Sequence, residues 1–132
     1  IQRVHKWIDE KTVKQRFEAI NNLEKLLEQN GTKVLKFYMH VSLEEQLLRL
    51  EERKENPEKM WKHKDQDWEE RKLWKEYMNA YEDVFKNCSK AAPWHVIPTD
   101  HNWYKEYLIA QKVRDTLKQL KWQQIKKTYH KL

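Results

Sequence analysis

The sequence has 132 residues, 36% of them charged and 39% hydrophobic, and its 27 lysines and arginines outnumber 21 acids for a net charge of +6. That length fits one domain or part of one, and no run approaches the roughly 18 apolar residues of a membrane-spanning helix. One cysteine, Cys88, excludes an internal disulfide, and one glycine, Gly31, excludes a G-x-x-x-x-G-K or G-x-G-x-x-G phosphate loop within these residues.

The first predicted element is a helix from Asp9 to Gln29, with Val13, Phe17, Ile20, Leu23 and Leu27 on one face at three- and four-residue steps. Asn30-Gly31 stops it, because glycine tolerates the left-handed conformation of a helix end. Lys33 to Val41 is short, β-branched, aromatic and nearly continuous in apolar residues, which suits a strand buried on both faces of a parallel sheet. Ser42 and Glu45 form a capping box that starts a second helix. This helix carries Leu43, Leu47 and Leu50 on one side and Arg49 and Arg53 on another, and it ends at Asn56-Pro57.

Residues 56–67 mix Lys59, Trp61, Lys62, His63 and Lys64 without periodicity and read as a loop or short helical turn. A single long helix is predicted over Asp67–Asn87, with Trp74, Tyr77, Met78, Tyr81, Val84 and Phe85 as an aromatic core stripe. Pro93–Thr99 reads as a second buried strand. Thr99 or Asp100 caps a last helix whose inward face is Trp103, Tyr107, Ala110, Val113, Leu117 and Leu120. The tail from Lys118 to Leu132, with Lys118, Lys121, Lys126, Lys127 and Lys131 and no acid, reads as a solvated helix end.

Helix, glycine, buried strand and capped helix make α/β logic, and two buried strands call for partner strands. The lone cysteine fits a reducing compartment and no signal peptide is read, so the expected location is cytoplasmic, with no membrane partner. The six histidines are scattered, which predicts no metal site within the chain. The positive balance favours polyanions. Nucleic acid is the weaker choice of polyanion, because most aromatics sit at core spacing and few remain for base stacking.

The cations around the Pro57 break are Arg49, Arg53, Lys59, Lys62, Lys64, Arg71 and Lys72. Eight basic and eight acidic side chains lie between residues 49 and 72, so a solvated, ion-paired surface is the plain reading. The functional reading is a flap whose cations close over a transferring phosphoryl group, a reaction that depends mainly on positioning and charge neutralisation.

Three stretches in order tip the balance. They are IQRVHKWIDE to RLEER, NPEKMWKHKDQDWEERKLWKEYMNAYEDV, and APWHVIPTDHNWYKEYLIAQKV. They resemble the C-terminal half of the polyphosphate kinase 2 family, over roughly residues 1–120. The shared features include Arg16, Gly31-Thr32, Lys36-Phe37, Glu45-Gln46, Arg49, Arg53, Pro57, Lys59, Trp61-Lys62, Asp67, Arg71, Trp74, Tyr77 and Ala92-Pro93-Trp94. His63-Lys64 and Asn102 depart from the family pattern, the latter where a lysine is common.

The resemblance implies a P-loop kinase fold, three-layer α/β/α with a parallel sheet and mostly helical in these residues. Residues 1–132 would be the C-terminal part of one such domain, with a helical lid over residues 56–87. It implies phosphoryl transfer between inorganic polyphosphate and a nucleoside mono- or diphosphate, with Mg²⁺ as cofactor and a homo-oligomeric assembly. Arg49, Arg53, Lys59, Lys62 and Arg71 would bind phosphate or polyphosphate. The Walker A and Walker B segments, with the Mg²⁺ ligands, are expected upstream of Ile1, so no catalytic residue and no turnover is expected of these residues alone. Two alternatives are a different P-loop kinase, such as a thymidylate-kinase-like enzyme, and a non-enzymatic basic module binding polyanions or a partner protein.

Overall fold

Asp9 opens the first helix by accepting a hydrogen bond from the Thr12 amide at 2.7 Å, and α1 runs Glu10–Gln29 in the computed structural model, which describes residues 1–120. The lysines of residues 121–132 lie outside the described residues. Gly31 follows with φ +84°, a conformation that costs a side chain but not glycine. The inner face of α1 is not quite the predicted one: Val13 is buried and Phe17 and Leu27 are half-buried, but Ile20 and Leu23 are exposed. The helix is rolled so that Glu24 faces inward, 6% exposed. There its carboxylate accepts from the Lys36 ammonium at 2.7 and 2.8 Å, and Lys36 also donates to the Cys88 carbonyl at 2.5 Å.

Lys36–His40 forms β1 and Trp94–Pro98 forms β2, each shorter than the predicted stretch. They pair in parallel, with Lys36 opposite Trp94 and His40 opposite Pro98. The described sheet has two strands, and Met39 (59%) and Val96 (54%) are exposed, so the expected burial on both faces is not met among the described residues. Two strands cannot cover their own outer edges, and the described helices leave these two side chains open.

The crossover between the strands holds α2 (Leu43–Glu55), a 3-10 turn (Met60–Lys62), α3 (Asp65–Lys72) and α4 (Trp74–Asn87). The single helix predicted over Asp67–Asn87 is therefore two helices. At Leu73, φ −93° and ψ 20°, the amide bonds to the Glu70 carbonyl at 3.1 Å, a three-residue closure that tightens the turn before α4 resumes. The aromatic stripe of α4 packs on the sheet, but only partly as the predicted core, since none of its residues is fully buried and Tyr81 is 39% exposed: Tyr38 of β1 meets Tyr81 at 4.5 Å and Phe85 at 5.1 Å between ring centroids, and Phe85 meets Trp94 at 5.8 Å.

The last helix, α5, spans Asn102–Gln119 and begins after His101 without a side-chain cap. The predicted caps are used elsewhere. Thr99 donates through its hydroxyl to the His40 carbonyl at 2.9 Å, and Asp100 accepts from the Ser42 amide at 2.8 Å. The predicted inward face of α5 is also largely reversed. Trp103, Tyr107, Ala110 and Leu117 are exposed, because the side of the helix turned to β2 is that of Leu108, Gln111, Lys112 and Asp115, which line a cleft with residues 94–97. Cys88 is buried at 1% exposure, and burial pushes its thiol pKa up, consistent with a packed rather than reactive group. No helix among the described residues is long and apolar enough to cross a membrane.

Candidate functional site

The carboxyl ends of parallel strands are where α/β folds place their ligands, and here those ends are knotted together by side chains. Ser42 caps α2 by accepting from the Glu45 amide at 3.1 Å. The capping box is half made, because Glu45 turns to Arg49 and the Ser42 amide donates to Asp100 instead. Arg49 donates to Glu45 at 2.7 Å through Nε, and through Nη2 to the carbonyls of Thr99 at 2.6 Å and Asp100 at 3.2 Å. The Ser42 amide, with the Ser42 hydroxyl and Arg49 adding to it, holds the Asp100 carboxyl below the usual aspartate range.

Arg53, one turn beyond Arg49 on the same face of α2, meets Asp67 of α3 at 3.3 Å. That contact is long for a charged pair, and among the described residues the Arg53 guanidinium has no other partner. Arg71 reaches back from α3 and donates through Nη1 to the Leu43 carbonyl at 2.8 Å and to Gln46 Oε1 at 2.9 Å. Between α2 and α3 lies a cleft of about 310 Å³, lined by Val41, Gln46, Arg49, Leu50, Arg53, Asp67 and Glu70.

Of the five phosphate-binding candidates, Arg49 and Arg53 line this cleft and Arg71 is joined to it through Gln46. Lys59 and Lys62 are not among its lining residues. Lys59 pairs with Glu52 on the outer side of α2, and the Lys62 ammonium sits 4.9 Å from the Trp61 ring centroid, beside a tryptophan 78% exposed. Both belong to the 3-10 turn region that joins α2 to α3.

The floor of the cleft holds a group whose role the sequence did not signal. Glu70 accepts from the Tyr77 hydroxyl at 2.5 Å and from His5 Nε2 at 2.9 and 3.0 Å. Since a carboxylate only accepts, Nε2 carries the imidazole proton. Tyr77 and then His5 hold the Glu70 carboxyl below the usual glutamate range, while burial and the facing carboxylate push the Tyr77 phenol up to about 12. Tyr77 stood out as one member of an aromatic stripe and as a position shared with the family, with no role attached, and His5 only as one of six scattered histidines.

Among the described residues no group of three or more His, Cys, Asp or Glu is placed to hold a metal ion. Asp67 is engaged by Arg53, and Glu70 by Tyr77 and His5, so the donors in the cleft do not fit a Mg²⁺ site. What the cleft offers chemically is guanidinium: planar donor forks suited to phosphate oxygens, at the carboxyl end of a parallel sheet.

Comparison with known proteins identifies relatives of the whole chain. The family model described as polyphosphate kinase 2 matches residues 1–127. The AMP/ADP-polyphosphate phosphotransferase of Meiothermus ruber is 40% identical over 121 residues, 91% of this chain and 45% of the relative. The ADP-polyphosphate phosphotransferase of Rhodopseudomonas palustris is 38% identical over 107 residues, 80% of this chain and 37% of the relative. The chain thus spans less than half the length of these two relatives. The crystal structure of polyphosphate kinase 2 from Arthrobacter aurescens TC1 superposes with a TM-score of 0.87 at 39% identity, over 92% of this chain and 44% of that one. A fold shared over nearly the whole described chain, and a family model spanning almost all of the sequence, lead to one conclusion: the chain belongs to the polyphosphate kinase 2 family.

Proposed function

We propose that these residues form the lid and a phosphate-facing wall of a phosphotransferase that moves a phosphoryl group between inorganic polyphosphate and a nucleoside mono- or diphosphate. The observation that carries the reading is the placing of Arg49 and Arg53 on one cleft at the carboxyl ends of the strands, with Arg71 of the facing helix joined to it through Gln46. Residues 56–87 are the lid. Arg53 is the arginine of the cleft most available to an incoming phosphate, which would displace the long Asp67 contact. Arg49 holds the strand ends in place while presenting charge, and Arg71 sets the rim through Gln46. Lys59 and Lys62, on the turn between the helices, meet the polyanion when the lid closes.

In this reading the parent reaction uses Mg²⁺ and a P-loop outside the residues described and runs in a homo-oligomer, as the family resemblance implies, and a cytoplasmic location follows from the lone cysteine. The charge neutralisation assigned to this chain is carried by arginine and lysine alone.

A competition experiment tests the reading. Labelled polyphosphate is titrated with the 132-residue chain at several salt concentrations, with single-stranded DNA of matched charge as competitor. The titration is repeated with Arg53, Lys62 and Arg71 changed together to Ala. The expected result is a preference for polyphosphate that the triple variant loses. Equal competition by DNA, with the variant unchanged, would reduce binding to nonspecific counterion release and refute the reading. The chain alone is expected to show no turnover with polyphosphate, Mg²⁺ and AMP or ADP.

A further inference from the structure

A carboxylate on the floor of an anion-binding cleft is electrostatically misplaced. Glu70 lines the arginine cleft and also an adjoining aromatic cleft that contains Tyr77 and Trp74, and its side chain is 25% exposed. A negative charge there repels the phosphate that Arg49 and Arg53 attract, so its presence calls for a second role.

The geometry supplies one. Glu70 sits on α3 between Asp67, which holds Arg53, and Arg71, which holds α2 through Leu43 and Gln46. Its carboxylate is fixed from two directions. Tyr77 binds it from α4, across the break at Leu73. His5 binds it from the segment ahead of α1, 65 residues away in sequence. His5 is itself held, stacked on Trp7 at 5.1 Å with 24° between the rings, its amide donating to the Ile1 carbonyl at 3.0 Å. The low carboxyl pKa and high phenol pKa are what such a fastened carboxylate requires.

We propose that Glu70 is a positioning residue of the phosphate cleft: pinned by Tyr77 and His5, it fixes the roll of α3 and thereby the placement of Arg53 and Arg71. The functional half of this proposal rests on the phosphate-binding reading above.

Charge and position predict opposite signs, which makes the test decisive. The 132-residue chain and its Glu70→Ala, Glu70→Gln and Tyr77→Phe variants are titrated with polyphosphate. The arginine side-chain N–H signals of each are followed by NMR without ligand, and far-UV circular dichroism establishes that each is folded. If Glu70 were only a negative wall, Glu70→Ala would bind polyphosphate more tightly and Tyr77→Phe, which changes no charge, would bind as wild type. The positioning role predicts the reverse: about tenfold weaker binding for Glu70→Ala, the scale on which lost hydrogen bonds to a charged group act. It predicts a smaller loss for Tyr77→Phe. Glu70→Gln, which keeps one acceptor oxygen, falls between. The Arg53 and Arg71 signals shift in all three variants. Tighter binding by Glu70→Ala, or arginine signals that stay in place in folded variants, overturns the proposal. If wild type shows no preference for polyphosphate, the binding reading fails by itself and the arginine signals alone decide whether Glu70 positions α3.

Discussion

Replacing Lys36 by Met is the perturbation whose effect can be worked most directly from the structure. The Lys36 side chain is 11% exposed and that of Glu24 8%, and the ammonium makes three hydrogen bonds, two to Glu24 and one to the Cys88 carbonyl. It also lies 5.0 Å from the Trp94 ring centroid. Methionine fills much of the stem volume but leaves a buried carboxylate and a buried carbonyl without a donor. Breaking one side of a buried pair costs about 3–5 kcal/mol, a large part of the roughly 5–15 kcal/mol that holds a domain together. At roughly 3–5 °C per kcal/mol for a chain of this size, the melting temperature should fall by about 10–20 °C. The assay is thermal unfolding followed by circular dichroism, on Lys36→Met and on the double variant with Glu24→Leu. The double variant should recover most of the loss, because two apolar side chains of similar volume no longer strand a charge. A single variant within about 3 °C of wild type, or a double variant worse than the single, would refute the idea that this pair clamps α1, β1 and the end of α4 together.

Three further outcomes follow from named contacts. Arg49→Ala should cost about 2 kcal/mol in denaturant unfolding as well as weakening polyphosphate binding, because it frees the Thr99 and Asp100 carbonyls that Arg49 ties down. Gly31→Ala should destabilise by about 1–2 kcal/mol with no effect on binding; a Cβ there meets nothing within 4 Å, so the cost is the left-handed backbone alone. The Tyr77 phenol, raised from 10 to about 12, contributes stability that is fully present below pH 10 and lost as pH rises towards about 12. Denaturant midpoints across that window should fall less steeply in Tyr77→Phe than in wild type.

Local signals carried much of the fold. Asp9 and Ser42 cap α1 and α2, Gly31 adopts the positive φ expected of it, and the two short strands pair in parallel. What was hidden depended on distant residues. Nothing about Leu73, a good helix former, marks the break between α3 and α4; Arg71 reaching to α2 and Tyr77 reaching to Glu70 fix it. The roll of α1 is set by Glu24 seeking Lys36, a polar contact that apolar periodicity cannot register. The exposed side of α5 has the same origin, since helical spacing identifies a stripe but not which stripe meets β2. In the cleft, the shared helix face of Arg49 and Arg53 was readable from their four-residue spacing on a capped helix, while a phosphate role for them came only from the family resemblance. Glu70 was not, because its partner His5 lies at the far end of the chain and one of eight acids interspersed with eight bases carries no distinguishing pattern.

The parallel pairing of β1 with β2 has a further consequence for how this family can vary. Everything from Ser42 to Pro93 leaves from one strand and returns to its neighbour, with Lys36 beside Trp94. The excursion is therefore topologically an insert with both ends moored. Lengthening or trimming it at the Asn56-Pro57 corner changes no strand register, and even doubling a flexible loop costs only about 0.6 kcal/mol of closure entropy. The span of the arginine cleft can thus be retuned by editing the length of one segment, while the strand pair that moors it stays as it is.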